Sequence, residues 1–146
     1  MTPAAVAPPV LCDSSLPTYS VRKKLANGRD LDIMCTRFVD RDFVVVTEMA
    51  KLGSLLHVKA DVVKRSAHAT TPTYDVSLLL GSEDERLEVF AKSIAKAVNE
   101  KRNDGGGDRA HRDRKPVLCA LALREPDRDL LKLVLDALKE CDIWNK

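Results

Sequence analysis

"SEDERLEVFAKSIAKAVNEK", residues Ser82–Lys101, is where the hydrophobic period of the chain changes. Leu87, Phe90, Ala91, Ile94 and Val98 recur at the spacing that places them on one side of a helix. Ser82 and Glu85 form a capping-box pattern at its start, and Glu88 and Lys92 are spaced for an i,i+4 pair on the wet side. From Tyr19 to Gly81 the chain carries strand signals instead, apart from residues 61–72.

Working backwards, "TYDVSLLLG" (Thr73–Gly81) is a strand, with Tyr74, Val76, Leu78 and Leu80 predicted to share a face. Residues 61–72 contain Pro72 among threonines and read as a loop, with a turn of helix available at Asp61–Arg65. "SLLHVKA" (Ser54–Ala60) and "DFVVVTEM" (Asp42–Met49) are strands separated by a turn at Gly53. In "RDLDIMCTRF", Asp30 and Asp32 alternate with Leu31, Ile33 and Cys35, as on a strand with one buried face. Asn27-Gly28 joins this strand to "YSVRKKL" (Tyr19–Leu25), since both residues tolerate positive φ in a tight hairpin. The four strands from Tyr19 to Ala60 read as a meander. Working forwards, "PVLCALAL" (Pro116–Leu123) is a nearly all-apolar sixth strand. "EPDRDLLKLVLDALKECDIW" is a second helix, with Pro126 in its first turn and a stripe of Leu131, Val134, Leu135 and Leu138.

Strands first and helices later predict an α+β fold: an antiparallel sheet of about six strands in the order four- to five-strand meander, helix, strand, helix. The 146 residues suit one domain. Residues 1–18, with Pro3, Pro8, Pro9 and Pro17, are expected to be a flexible tail ahead of a single domain over 19–146. Two helices can cover one face of such a sheet. Yet Phe43–Val46, Leu78–Leu80 and Val117–Leu123 carry apolar groups to both faces. A soluble monomer rarely leaves so large a patch in water. The expectation is helices on one face and a second sheet stacked on the other, in a dimer.

No catalytic constellation emerges. "RNDGGGDRAHRDRKP" (Arg102–Pro116) is conspicuous, but its glycines follow a helix and precede a strand. A phosphate loop has the reverse order, because the anion sits on a helix N-terminus. Its arginines are interleaved with Asp104, Asp108 and Asp113, and no aromatic stands among them to stack on bases. With a formal net charge of only +2, nucleic acid is not expected as a partner. Residues 102–115 read as a flexible insertion. His57, His68 and His111 are scattered, and His57, on a strand, reads as structural. Cys12, Cys35, Cys119 and Cys141 match neither a zinc knuckle nor a CxxC motif. Cys35 and Cys119 fall in apolar strands, where thiols are inert packing groups. Cys141 lies near the C-terminus, where a thiol can be exposed. No catalytic, cofactor-binding or metal-binding residue is assigned, and no cofactor. The chain has no basic N-terminal start and no apolar run near the ~18 residues of a membrane helix, so neither export nor membrane insertion is expected. Reduced thiols in the cytoplasm or nucleus follow.

Three blocks, "VVVTEMAKLGSLLHV" (Val44–Val58), "VSLLLGSEDERLEVFAKSIAKAV" (Val76–Val98) and "PVLCALALREPDRDLLKLVLDALKECDIW" (Pro116–Trp144), resemble in order and spacing the proteasome assembly chaperone 3 family. The resemblance implies a non-catalytic chaperone that promotes 20S proteasome assembly. It would pair with the paralogous proteasome assembly chaperone 4 as a heterodimer, or with itself as a homodimer, and hold an α-type proteasome subunit while the α-ring forms. It assigns no residue to the proteasome contact. The tail before Tyr19 and the stretch Asn103–Lys115 are longer than the family pattern. The alternative is a small α+β dimeric scaffold of roadblock or longin type in a trafficking or GTPase-regulating complex. An early helix would favour it, and the N-terminal prolines disfavour one. Shortening the Gly-rich stretch is expected to leave dimerisation, read by light scattering, intact. Loss of the dimer would make that stretch part of the interface.

Overall fold

The fold is that of a computed structural model, which describes residues 16–66, 69–103, 115–141 and 143. The N-terminal tail up to residue 15, most of the Gly-rich insertion, His68, His111, Cys12 and Trp144 lie outside the described residues. Six strands and two helices follow one another as β1 (Thr18–Lys24), β2 (Asp30–Arg37), β3 (Asp42–Thr47), β4 (Ser54–Ser66), β5 (Ala69–Leu80), α1 (Glu85–Asn103), β6 (Val117–Ala122) and α2 (Arg128–Glu140).

The strands form one open sheet in the order β1-β2-β3-β6-β4-β5. The element types and their sequence order match expectation, but the meander is interrupted. β6 inserts between β3 and β4, parallel to β3 and antiparallel to β4, so the sheet is mixed. The physical reason lies in composition. DFVVVT and VLCALA are buried on both faces along most of their length. Such strands are stable only in the middle of a sheet, where both faces can be shielded.

Because β6 fills the gap, the connection from β3 to β4 must pass over its end. The Glu48 amide donates to the Ala122 carbonyl (2.9 Å), and the Thr47 hydroxyl accepts from the amides of Met49 (3.1 Å) and Lys51 (3.2 Å). Gly53 then crosses with φ +67 directly against β6. A Cβ there would fall on the Leu121 carbonyl oxygen and 2.7 Å from the Ala122 Cα. The β1–β2 turn is less crowded. Leu25 and Arg29 close a three-residue loop (2.8 Å) in which Gly28 alone takes positive φ, +85, while the Asn27 side chain accepts from the Arg29 amide (2.9 Å). Asn27 therefore serves through its carboxamide and not through a left-handed backbone.

Residues 61–66 and 69–72 are strand and not loop. β4 and β5 pair continuously out to Ser66↔Ala69, although β4 meets β6 only over Ser54–Val58. The hairpin thus extends past the sheet as a two-stranded ribbon. Pro72 is tolerated because β5 is an edge strand, where a missing N–H breaks no ladder. Leu80 also departs from its predicted face. A register shift between Leu55 and Leu56 takes it out of line with Tyr74, Val76 and Leu78, and it is 63% exposed.

Both helices pack on one side. Leu87, Phe90, Ala91, Ile94 and Val98 of α1 and Leu130, Val134, Ala137 and Leu138 of α2 meet Leu31, Ile33, Val44, Val46, Leu56, Val58, Val117, Cys119 and Leu121 from the sheet. Each fully buried Leu, Ile or Val contributes about 1.5–3 kcal/mol relative to exposure. Both helices start later than predicted. The Asp84 carboxylate, rather than Ser82, accepts from the Arg86 amide (2.9 Å). Asp127 caps α2 by accepting from the Leu130 amide (2.8 Å), which leaves Pro126 just outside the helix. A carboxylate caps a helix N-terminus as a hydroxyl does and adds favourable charge.

Gly53→Ala should therefore destabilise the fold by about 2 kcal/mol more than Gly28→Ala, which meets only the left-handed penalty of about 1 kcal/mol. Urea denaturation of the two variants measures this. Equal losses would mean that β3–β4 does not cross β6 at Gly53.

Candidate protein-interaction face

The pleat sends alternate residues of every strand to the side opposite the helices. Among the described residues no element covers that side. Cross-strand register places Met34, Val45, Ala120 and Leu55 in one row and Thr36, Phe43, Leu118, His57 and Ser77 in the next. The centre is apolar. Val45 and Ala120 are buried by their neighbours, Phe43, Leu118 and Leu55 are half-buried, and Met34 is 38% exposed. Past the register shift, Leu79 and Leu80 add further exposed apolar surface at the β5 edge.

The rim is polar. On the β1 side the Arg22 guanidinium donates to Asp32 through Nε (2.7 Å) and Nη2 (3.4 Å), and Lys24 stands 3.9 Å from Asp30. The hydrogen bond to Asp32 raises the Arg22 pKa above its ordinary value. Asp30 and Asp32 are thus cross-strand ion-pair partners and not an acid–base pair. Such exposed pairs add little stability, but they hold fixed charges at the edge of an apolar field. At the β2–β3 turn, Phe38, Asp40, Arg41, Phe43 and Leu118 border a depression of about 380 Å³. The Arg41 side chain donates to Asp40 (3.1 Å), and this bond holds the Asp40 carboxyl below the usual carboxylate range. The depression is apolar in the middle and charged at its lip.

A second, larger cleft of about 690 Å³ lies at the other end of the sheet, between the β1–β2 turn and the start of α2. Lys24, Arg29 and Arg124 line it together with Glu48, Glu125, Asp127 and Asp129. Its charges are mixed, and it contains no Ser, Cys or His to act as nucleophile or base. Among the described residues no three His, Cys, Asp or Glu side chains converge as metal ligands, and no helix is long and apolar enough to cross a membrane.

The residues weighed for chemistry are dispersed. His57 is half-buried on the uncovered sheet face, between Leu118 and Ser77. Cys35 and Cys119 are wholly buried beneath the helices, and burial pushes the Cys119 thiol up to about 12. Cys141 is also wholly buried, contrary to its exposed prospect at the chain end, because the residue after α2 turns back onto β2. Met34 and Leu55 were not singled out from sequence. Their alternation with Ile33 and Leu56 was visible, but the strand order that lines them up with Val45 and Ala120 was not.

Among the described residues, a six-stranded sheet with both helices on one side and a partly apolar face left open on the other defines an α+β protein of the single-sheet class. The family model of proteasome assembly chaperone 3 matches residues 44–141, and the chain belongs to that family. It is 26% identical to human proteasome assembly chaperone 3, over 90% of this chain and 98% of the human protein. It is 31% identical to the protein of the same name from Nematostella vectensis, over 87% of this chain and 90% of that one. Its fold is similar to a chain in the crystal structure of a chaperone complex for yeast 20S proteasome assembly, with a TM-score of 0.63, 15% identity, and coverage of 87% of this chain and 98% of that chain.

The two faces should respond differently to a charge. Leu118→Glu, on the uncovered side, is expected to leave a folded chain, destabilised by no more than about 1–2 kcal/mol. Cys119→Glu, one residue on and under the helices, places an unpaired carboxylate in the core and should unfold it. Circular dichroism melts compare the two. Equal losses would mean that the uncovered side is closed by the chain itself.

Proposed function

We propose that this protein is a non-catalytic chaperone subunit that stacks its uncovered sheet face on a second subunit, and that the resulting dimer binds an α-type subunit of the 20S proteasome and supports α-ring formation. The observation that carries this reading is the uncovered face itself. An apolar centre with a polar rim is the anatomy of a protein interface, and two facing sheets can close it at the spacing usual for a sandwich. The second subunit is a paralogue of proteasome assembly chaperone 4 type or a second copy of this chain. The family supports the proteasome as client. Family membership also favours this reading over a roadblock- or longin-like scaffold.

Such a chaperone acts through complementary surface alone. The dimer shields or orders one face of its client until a later subunit displaces it, so no cofactor is required. The work takes place in the cytoplasm and, through the same client, in the nucleus.

The test is affinity purification of the tagged chain from cells, with identification of what accompanies it. The expected result is a paralogous chaperone together with α-type subunits and little mature 20S particle. Leu118→Glu should lose the chaperone partner and, with it, the α-type subunits. Recovery of neither α-type subunits nor a chaperone partner by the unaltered chain would sink the proposal.

A further inference from the structure

The fold contains a pair of thiols that the interaction face does not use. Cys141 follows α2 directly and donates its amide to the Leu138 carbonyl (3.2 Å). Two contacts hold this end of the helix in place. Glu140 lies 3.5 Å from Lys23 of β1, and the Lys101 ammonium of α1 donates to the Lys139 carbonyl. Lys23 stands opposite Leu31 of β2, so the end of α2 sits over the β1–β2 pair. Cys35 rises from β2 on that same side, in line with Leu31 and Ile33. The two thiols meet there and hydrogen-bond to each other, and both are wholly buried in the same core cluster. Ile143, two residues on, is 4% exposed, so the chain past Cys141 stays on the core.

The third buried cysteine, Cys119, is excluded by register as a partner for Cys35. Cys35 pairs with Val44, and Val44 pairs with Cys119. Cys119 is therefore two strand spacings from Cys35, about 9.5 Å, beyond the roughly 7 Å between Cα atoms that a disulfide spans.

We propose that Cys35 and Cys141 form a latent redox pair, joined under oxidising conditions into an intramolecular disulfide that staples the C-terminal end of α2 to β2. The oxidant class is a hydroperoxide. One thiol attacks the peroxide oxygen and becomes a sulfenic acid, releasing an alcohol, or water from hydrogen peroxide. The sulfur of the second thiol then displaces water from the sulfenic acid as the S–S bond forms. Two thiols and one hydroperoxide give one disulfide, one alcohol and one water. The two electrons lost by sulfur reduce the O–O bond.

The closed fold holds the pair reduced. The hydrogen bond to Cys141, together with burial, pushes the Cys35 thiol well above its usual range, so almost no thiolate is present to react. Oxidation therefore waits for the end of α2 to lift, and the disulfide, once made, removes that opening. The bond lies under the helices, on the side of the sheet away from Met34, Phe43 and Leu118, so it leaves the interaction face as it was.

The experiment treats the full chain with hydrogen peroxide below its melting temperature. The products are mapped by non-reducing peptide mass spectrometry and thermal melts are recorded. The expected result is a Cys35–Cys141 linked peptide two hydrogens lighter than its parts, with a raised melting temperature that dithiothreitol reverses. Cys141→Ser should show no such rise. Lys23→Ala, which frees Glu140, should accelerate linkage several-fold. Cys35 and Cys141 remaining reduced, each oxidising separately to a sulfinic acid, or linking with no gain in melting temperature would each overturn the proposal. An unchanged linkage rate in Lys23→Ala would overturn the gating by α2.

Discussion

The rest of the structure depends on the parallel pairing of β3 with β6. Both strands carry apolar side chains to both faces, and a sheet built around them must be shielded twice. The chain supplies one shield. α1 and α2 close the side of Val44, Val46, Val117, Cys119 and Leu121. The side of Val45, Ala120 and Ala122 is closed to water only by neighbouring side chains, because the residues there are small and lie between larger ones. Those larger neighbours, Met34, Phe43, Leu118 and Leu55, remain partly open. The unfinished surface is thus a direct result of placing two fully apolar strands in a sheet that has only two helices.

This arrangement separates the core from the uncovered face along a single strand. In β6 the residues Val117, Cys119 and Leu121 serve the core, while Leu118, which alternates with them, lies on the uncovered face. In β2 the same holds for Ile33 and Met34. One-residue alternation lets a short strand present a different surface to each side. Among the described residues, the groups that catalysis most often uses are spread over both sides of the sheet. Cys35, Cys119 and Cys141 are buried on the helix side, His57 stands on the opposite face, and the cleft near α2 is lined by both cations and carboxylates.

Element types and order were legible in the sequence because hydrophobic period reports local geometry. The change at Ser82 marks α1, and the alternation of Leu31, Ile33 and Cys35 marks β2. Strand order was not legible, since period says nothing about neighbours. The signal for it was present in composition: VLCALA belongs beside DFVVVT because both need two covered faces. The ribbon at 59–75 was hidden for a different reason. Pro72 and its threonines carry turn propensity, and pairing with β4 at a sheet edge overrides it. The existence of an uncovered face was legible from the shortage of helices. Its membership was not, because Met34, Val45, Ala120 and Leu55 become one row only once β6 is inserted.

The Gly-rich stretch from Arg102 to Pro116, most of which lies outside the described residues, is the most conspicuous in the sequence, yet its glycines follow a helix and precede a strand, which is not the order of a phosphate loop. Catalytic sites collect unusual residues, so an eye trained on enzymes goes to glycines, histidines and arginine clusters. An association surface is made from the same Val, Leu, Phe and Met that fill a core. What distinguishes it is coverage, a property of the whole fold. A side chain is part of the core when a helix lies over it and part of the open face when no described element does. Leu118 and Cys119, adjacent in sequence and both apolar in setting, differ in that respect alone. The information that assigns them lies in counting how many faces the chain must cover and how many it can.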